Sequence, residues 1–146
     1  MKTRSEIAVE KFLAGYNCAQ AVLYSFSDEL GFDKNTALRL ATGFGAGMAR
    51  KQNTCGAVTG GIIAIGLKHG RGEDQDRALT DETYRKVREL LWQFEATYGT
   101  SLCRTLLNGC DLNTPEGQQY FKQNDLLNRT CKPCVQSVVE MLEDIL

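Results

Sequence analysis

Hydrophobic residues recur at helical spacing along most of the chain. Between residues 4 and 14, Ala8 lies four positions before Phe12, and Val9 lies four positions before Leu13. This spacing places apolar side chains on one face of an α-helix. Further helices are predicted over about residues 18–30, 35–50, 56–67, 76–98, 115–123 and 131–145, with a short helix from residue 101. The pattern predicts an all-α fold, a compact bundle of about six to eight helices in a single domain over residues 1–146.

Several predicted helix ends carry residues that favour caps. Gly15 and Gly99 follow helical segments, where glycine readily closes a helix. Asn17 is a suitable N-cap for the second helix. Thr114 followed by Pro115 is a strong helix start, because the threonine can cap and the proline suits the first helical position.

Two pairs of glycines stand four residues apart, where each pair leaves a smooth strip on a helix. Gly43 and Gly47 fall in the third predicted helix, and Gly56 and Gly60 open the fourth. We expect these two strips to cross at close range beneath the cysteines. A phosphate-binding loop is not expected around Gly43, because that motif requires a preceding strand.

Cys55 stands just before an almost wholly apolar run that ends at Leu67. The run is too short and too rich in glycine to cross a membrane, so it is predicted to be a buried helix. Asn53 or Thr54 can cap this helix and place the Cys55 sulfur in its first turn. Free backbone N–H groups there favour a thiolate over a thiol. The alternative is that Cys55 is a small hydrophobic residue of the core.

Three more cysteines share this local setting. Each follows a Ser, Thr or Asn within two residues and falls at the start of a predicted helix; they are Cys18, Cys103 and Cys131. Cationic residues flank three of the four cysteines in sequence, namely Arg50 and Lys51 before Cys55, Arg104 after Cys103, and Arg129 and Lys132 around Cys131. Helix starts and positive charge both stabilise thiolates, which bind metals and attack disulfides. These four cysteines are predicted to carry chemistry, with Cys110 and Cys134 as auxiliary candidates.

The spacing of the cysteines matches no standard metal site. A zinc ribbon requires two CxxC pairs, and this chain has one, formed by Cys131 and Cys134. The spacings of plant-type and bacterial ferredoxins are also absent. A dithiol–disulfide couple between Cys131 and Cys134 is chemically feasible, because a thiolate at a helix start can attack and its neighbour can resolve.

Charge and composition narrow the class of protein. The net charge is −1 and no long basic stripe is present, so nucleic acid is not an expected partner. No apolar stretch reaches the length of about 18 residues needed for a membrane helix, and the N-terminus lacks the apolar core of a signal peptide. We therefore expect a cytoplasmic protein without membrane contact, in a compartment that favours free thiols over permanent disulfides.

Motifs along the chain can be compared with those of known families. They are Gly15-Tyr16-Asn17-Cys18-Ala19-Gln20, Gly43-Phe44-Gly45-Ala46-Gly47-Met48, Cys55-Gly56-Ala57-Val58-Thr59-Gly60, Tyr98-Gly99 with Cys103-Arg104, Cys110-Asp111, and Cys131 with Val135. This set resembles the C_GCAxxG_C_C family of putative redox-active proteins. The resemblance covers nearly the whole chain, from about residue 5 onward.

The resemblance implies that Cys18, Cys55, Cys103 and Cys131 are the four family cysteines. Some members also carry a cysteine at the position of Cys110. An aromatic residue is more usual at the position of Cys134. The family is also similar to the cysteine-bearing part of split-Soret cytochromes c, which implies an iron–sulfur centre. Covalent haem is not expected, because the chain has no CxxCH motif.

Three functions stay open on the sequence. In the first, the four family cysteines bind an iron–sulfur cluster or another thiophilic metal and exchange electrons with an unknown redox partner protein. In the second, the same cysteines cycle a disulfide in a metal-free thiol–disulfide oxidoreductase or redox sensor. In the third, a structural or partner-binding protein uses its cysteines for packing or for structural zinc. The sequence leaves open whether the protein is an enzyme, and it is compatible with a homo-oligomer.

Overall fold

The chain folds into eight α-helices, as the hydrophobic spacing predicts. The computed structural model describes all residues from 1 to 146. Its helices are α1 (Arg4–Leu13), α2 (Cys18–Ser25), α3 (Lys34–Ala41), α4 (Gly56–His69), α5 (Ala78–Tyr98), α6 (Cys103–Leu106), α7 (Pro115–Gln123) and α8 (Lys132–Ile145). The only β-type pairing is an isolated bridge between Thr54 and Leu102. The predicted all-α fold of about six to eight helices is therefore confirmed.

Local sequence signals explain several of the helix ends. The Asn17 side chain accepts a hydrogen bond from the Gln20 N–H, and the Gln20 side chain accepts one from the Asn17 N–H, which closes a capping box on α2. The Thr114 hydroxyl caps α7 by accepting from the Gly117 N–H. Gly99 adopts a left-handed conformation with φ of 81° and ends α5. These boundaries lie where the caps predict them.

The buried helix α4 lies at the centre of the bundle, where α2 crosses it at very short range. A Cβ atom at Gly60 would lie 2.7 Å from the carbonyl oxygen of Ala19, and one at Gly56 would lie 3.3 Å from the Cβ of Cys18. The glycines of α4 therefore permit the close crossing that the sequence predicts. The prediction of the partner was right only in part, because α2 lies against Gly60, whereas the nearest atom to a Cβ at Gly56 is the carbonyl oxygen of Phe44, at 3.1 Å.

Two helices end earlier than the hydrophobic spacing predicts. Helix α2 ends at Ser25, not near residue 30, and the hydroxyls of Ser25 and Ser27 donate to the carbonyl oxygens of Val22 and Tyr24. Hydroxyls that bond nearby carbonyls compete with the helical hydrogen bonds. Helix α3 ends at Ala41, not at residue 50, and a 3₁₀ turn follows at Thr42–Phe44.

The segment from Ala46 to Arg50 turns in the left-handed sense. Its φ angles are 52° at Ala46, 64° at Gly47, 72° at Met48, 52° at Ala49 and 66° at Arg50. A left-handed conformation costs an L-residue other than glycine about 1–2 kcal/mol. We call these five residues the left-handed turn. Because they are not right-handed, the prediction of one helix through residue 50 was wrong.

Hydrophobic side chains form two separate cores. The large core contains 22 buried residues and is built from α1, α2, α3, α4, α5 and α8. The small core has four buried residues, Cys103, Leu107, Cys110 and Leu126. It lies within residues 100–131, which we call the arm and which contain α6, α7 and the π-helical turn Leu127–Cys131.

No helix in the structure combines the length and the apolar character needed to cross a bilayer.

Candidate redox site

Five cysteines border a single cavity of about 230 Å³ between the bundle and the arm. They are Cys18, Cys55, Cys103, Cys131 and Cys134. The structure thus brings together all four cysteines that the sequence singles out, and it adds Cys134 as a fifth. We refer to this space as the thiol cavity. Cys110 does not border it.

Three of the four sequence-predicted cysteines stand at a helix start, and only one of these is capped as expected. Cys18 is the first residue of α2, behind the Asn17 cap. Cys55 is itself the N-cap residue of α4, and Cys103 is the first residue of α6; neither helix has a side-chain cap. Cys131 has helical backbone angles and ends a π-helical turn that continues directly into α8, so its prediction as a helix start was wrong. Side-chain capping by a residue before Cys55, Cys103 or Cys131 was therefore wrong.

The walls of the thiol cavity are mostly apolar. Beside the cysteines they are formed chiefly by large aliphatic and aromatic side chains, namely Phe12, Leu106, Leu107, Leu112, Phe121 and Leu127. Apolar walls lower the local dielectric constant around the sulfurs. A lower dielectric constant strengthens electrostatic interactions among charged groups inside the cavity.

Cys55 is the one cysteine of the chain whose pKa is lowered. The main cause is a hydrogen bond that the Cys134 thiol donates to the Cys55 sulfur, and burial opposes it. The backbone N–H groups of Ala57 and Val58, in the first turn of α4, also donate to this sulfur and lower its pKa further. The start of α4 thus contributes to the lowered pKa of Cys55 but is not its main cause, and a thiolate at this position stays a prediction.

Burial reverses the expected preference at Cys18. Loss of solvation raises the pKa of Cys18 well above its usual value, and negative charge on Cys55, Cys131 and Cys103 raises it further. The N–H of Ala46, in the left-handed turn, donates a hydrogen bond to the Cys18 sulfur and offsets part of this rise. Charge on any one of these sulfurs therefore disfavours charge on the others.

Cys103 and Cys131 also depart from the predicted thiolate character. Burial raises the pKa of each to about 12, and the charge of Cys55 adds to the rise in both. Arg104 lowers the pKa of Cys103 too little to matter. The Arg104 side chain is half exposed and lies 3.5 Å from the carboxylate of Asp111. Solvent and this carboxylate screen its positive charge from Cys103. Cationic neighbours in sequence thus did not produce thiolates.

The two auxiliary candidates have different surroundings. Cys110 is buried in the small core and donates a hydrogen bond from its sulfur to the carbonyl oxygen of Gly117, at 2.9 Å. Cys134 borders the thiol cavity, where a hydrogen bond with Cys55 and burial raise its pKa. The dithiol–disulfide couple between Cys131 and Cys134 stays a prediction, since both thiols are free and both border the cavity.

The arrangement of the sulfurs limits which inorganic group can fit. All six cysteines are free thiols, and no group of three or more His, Cys, Asp or Glu side chains is arranged to hold a metal ion. A structural zinc site gathers four ligands around one ion, at about 2.3 Å for sulfur. This finding bears equally on a zinc ion and on a cluster. Four thiols around an apolar cavity are donors of the type that both groups use.

Gln52 is a functional candidate that the sequence analysis missed. It lies in a polar stretch, yet it is only 3% exposed. Its side-chain oxygen accepts from the Leu112 N–H at 2.9 Å, and its side-chain nitrogen donates to the Cys110 carbonyl at 2.6 Å. Its own carbonyl accepts from the Arg104 N–H at 3.1 Å. Gln52 therefore ties the segment before Cys55 to the arm.

Two further backbone hydrogen bonds join the same segments. The Cys103 N–H donates to the Asn53 carbonyl at 2.6 Å, and the Cys55 N–H donates to the Ser101 carbonyl at 2.7 Å. Two cavity cysteines thus use their own N–H groups to hold the arm against the start of α4. No periodic pattern in the sequence could have revealed these contacts, because they join segments about 50 residues apart.

The fold and the cavity define an all-α protein with a buried cluster of thiols. The family described as "Putative redox-active protein (C_GCAxxG_C_C)" matches residues 16–145. The chain belongs to this family, which confirms the resemblance noted from the cysteine motifs. No curated protein and no solved structure matches the chain.

Proposed function

We propose that Cys18, Cys55, Cys103 and Cys131 hold an iron–sulfur cluster and that the protein transfers electrons. The observation that carries the proposal is the convergence of these four thiols, from four separate segments of the chain, on one apolar cavity. Membership in a family of redox-active proteins agrees with such a role. A bound cluster supplies one-electron chemistry, with a potential set by cluster type, hydrogen bonds to sulfur and exposure.

The electrostatics of the metal-free site support the same proposal. Charges on neighbouring sulfurs raise the pKa of Cys18, Cys103 and Cys131, so the four thiolates do not coexist without compensation. Metal cations lower the pKa of the cysteines that coordinate them, because they stabilise the thiolate form. The site is therefore poised to release protons when a cationic group enters it.

Backbone donors already point at two of the proposed ligands. Ala46 donates to the Cys18 sulfur, while Ala57 and Val58 donate to the Cys55 sulfur. Hydrogen bonds to ligand sulfurs stabilise added negative charge and so raise a reduction potential. In this proposal the left-handed turn presents the Ala46 N–H to the site, and the apolar walls exclude water.

Anaerobic reconstitution tests the proposal. The reduced protein is incubated with ferrous iron and sulfide, and bound iron, acid-labile sulfide and the visible spectrum are measured. We expect a coloured protein that loses its colour when any of Cys18, Cys55, Cys103 or Cys131 is replaced by Ser. Cys110→Ala is the matched control, since that thiol lies outside the cavity, and it should keep the colour.

Three results would count against the cluster. A colourless, iron-free wild type with reversibly titrating thiols would favour thiol–disulfide chemistry among the cavity cysteines. Stoichiometric zinc would favour a structural role. Equal iron uptake by the wild type and all four serine variants would show that the thiol cavity is not the binding site.

Electron transfer also requires a partner. We propose a redox partner protein that exchanges electrons with the site, and the cytoplasmic location stays a prediction from the sequence.

A further inference from the structure

Helix α5 exposes two large aromatic side chains on its outer face. Trp92 is 68% exposed and Tyr84 is 60% exposed, and both belong to this helix of 21 residues. Trp, Tyr and Arg are the residue types that contribute most of the binding energy at protein interfaces, and Arg88 lies between the two rings. No residue of α5 lines the thiol cavity, so this face is separate from the site of the proposed function.

The two rings belong to one strip along α5. A turn of about 100° per residue places six residues within about 80° of the helix circumference. All six are exposed, and we call them the aromatic strip: Asp81, Tyr84, Arg88, Trp92, Glu95 and Gly99. Leu90 and Phe94, on the opposite side of the helix, are buried in the large core. The core therefore uses one side of α5 and leaves the aromatic strip uncovered.

Two charged residues of the aromatic strip have no partner of opposite charge within the chain. Neither Arg88 nor Glu95 takes part in an ion pair, whereas the nearby Arg85 pairs with Glu82 at 2.7 Å. Arg88 and Glu95 lie about two turns apart, so they follow the same line along the helix. Trp92 stands between them. With a cation on one side of the ring and an anion on the other, this part of the strip is complementary to an antiparallel copy of itself.

We propose that the aromatic strip packs antiparallel against the same strip of a second copy of this chain, in a two-fold symmetric dimer. One register sets Arg88 level with Glu95 of the second copy, and the two-fold axis forms this ion pair twice. The same register brings Trp92 next to the axis, where it packs against its counterpart. It also sets Tyr84 level with Gly99 of the second copy, which has no side chain to obstruct the ring.

The charges of the aromatic strip favour this order over a parallel one. In a parallel pair of helices Arg88 would face Arg88 and Glu95 would face Glu95, and like charges placed opposite one another destabilise an interface. In the antiparallel register Asp81 is level with a position beyond the end of α5, so it lies outside the contact between the helices. A two-fold contact uses the same surface on both copies, so association stops at the dimer.

Fluorescence and sedimentation of the wild type test the dimer together. Trp92 is the only tryptophan of the chain, so its emission reports on the aromatic strip directly. Sedimentation velocity over a dilution series measures the dimer fraction, and emission spectra are recorded at the same concentrations. We expect a dimer whose emission shifts to longer wavelength as dilution dissociates it. A monomer at every concentration up to the millimolar range would overturn the proposal, as would dissociation without a change in emission.

Charge reversal tests the register. Arg88→Glu and Glu95→Arg each set like charges opposite one another twice, so each should weaken dimerisation by about tenfold or more. An equimolar mixture of the two variants should recover the dimer, because both ion pairs in the mixed dimer then join opposite charges. Arg39→Glu is the matched control, since Arg39 is exposed on α3, and it should dimerise as the wild type does. Reversals without effect, or a mixture that stays monomeric, would overturn the register.

Removal of the ring tests the centre of the contact. Trp92→Ala should weaken dimerisation by about thirtyfold, as for a central residue of an interface. Tyr120→Ala is the control, because Tyr120 is a 40% exposed ring on α7, and its dimer should keep the affinity of the wild type. Equal dimerisation by Trp92→Ala and the wild type would place the interface elsewhere. Iron uptake by the monomeric Trp92→Ala variant should match that of the wild type, so the dimer and the proposed cluster stand or fall separately.

Discussion

The two hydrophobic cores hold different parts of the thiol cavity by different means. The large core of 22 buried residues contributes Cys55 and Cys134. The small core, with four buried residues, contributes Cys103. Cys131 packs against both cores, so the cavity follows the seam between them.

Burial accounts for the large core, but it does not account for the position of the arm. Burying four side chains offsets only a small part of the conformational entropy lost in ordering the arm. Hydrogen bonds between residues 50–55 and the arm also hold the arm against the bundle. Asn113, for example, donates from its side chain to the Arg50 carbonyl at 2.8 Å. Sulfurs on the bundle therefore depend on packing, and the Cys103 sulfur on the arm depends on polar contacts.

The largest effect is expected in the large core, from Gly60→Ala. The new Cβ would lie 2.7 Å from the carbonyl oxygen of Ala19 and 3.0 Å from its Cα, so backbone would have to move. We expect the free energy of unfolding to fall by about 3 kcal/mol, as for other overpacked cores. Urea unfolding followed by far-UV circular dichroism measures the change.

Gly66→Ala, in the same helix, is the control for this prediction. No atom outside the helix backbone lies within 4 Å of a Cβ at Gly66. Alanine favours the helix over glycine, so stability should rise by up to about 1 kcal/mol. An equal loss in both variants would show that helix propensity, and not the crossing with α2, controls stability here.

A smaller and more local effect is expected from Gln52→Ala. The substitution leaves the Leu112 N–H and the Cys110 carbonyl without their buried partners. We expect a loss of about 2 kcal/mol. Hydrogen exchange should accelerate in the arm while α4 and α8 stay protected, because the large core is not touched.

Gln118→Ala tests whether burial matters in this prediction. Gln118 also bonds to Leu112, donating to its carbonyl oxygen at 3.0 Å, but that hydrogen bond is exposed. Its removal should change stability by less than about 0.5 kcal/mol. If Gln52→Ala accelerated exchange equally in the bundle and the arm, the two cores would be one cooperative unit and the comparison would fail.

Cys55 should respond to pH in the opposite sense to Cys103 and Cys131. The pKa of Cys103 and of Cys131 is raised to about 12 in the folded protein, so both contribute stability below their unfolded pKa of about 8.5 and lose it as pH rises toward 12. The pKa of Cys55 is lowered, so its contribution is present above the unfolded pKa and is lost as pH falls through the folded value.

Urea unfolding of the reduced, metal-free protein at about pH 7 and about pH 10 checks the first part of this prediction. Stability should fall between these values, and Cys103→Ser should make the fall shallower. A stability that rises across this window would mean that the Cys55 contribution outweighs those of Cys103 and Cys131.

Local signals in the sequence predict much of the fold and part of the site. Caps such as Asn17 and Thr114 act within one turn, so they can be recognised without knowledge of the tertiary structure. The helix-start positions of Cys18, Cys55 and Cys103 follow from the same kind of signal. The thiol pKa values do not, because burial decides three of them, including that of Cys18. Burial is a property of the folded chain.

The left-handed turn shows most clearly where local reasoning fails. Ala46, Met48 and Ala49 favour right-handed helix in isolation, and Gly47 alone suits the opposite hand. Contacts from elsewhere override these preferences, since a Cβ at Gly47 would lie 2.6 Å from the backbone of Gln52. The turn therefore folds in an unfavourable conformation that tertiary contacts hold, and one result is the hydrogen bond from Ala46 to Cys18.

The smallest expected effect comes from relieving this strain at Ala49, which is exposed and has φ of 52°. Glycine adopts that conformation without strain, but it also loses more conformational entropy on folding than alanine does. Because the relief of strain should slightly exceed this entropy cost, Ala49→Gly should raise stability by about 0.5 kcal/mol. Ala96→Gly is the matched control, because Ala96 is equally exposed in the right-handed helix α5 and should lose about 1 kcal/mol. Opposite signs in urea unfolding would support strain in the turn, whereas equal losses would show that the turn carries none.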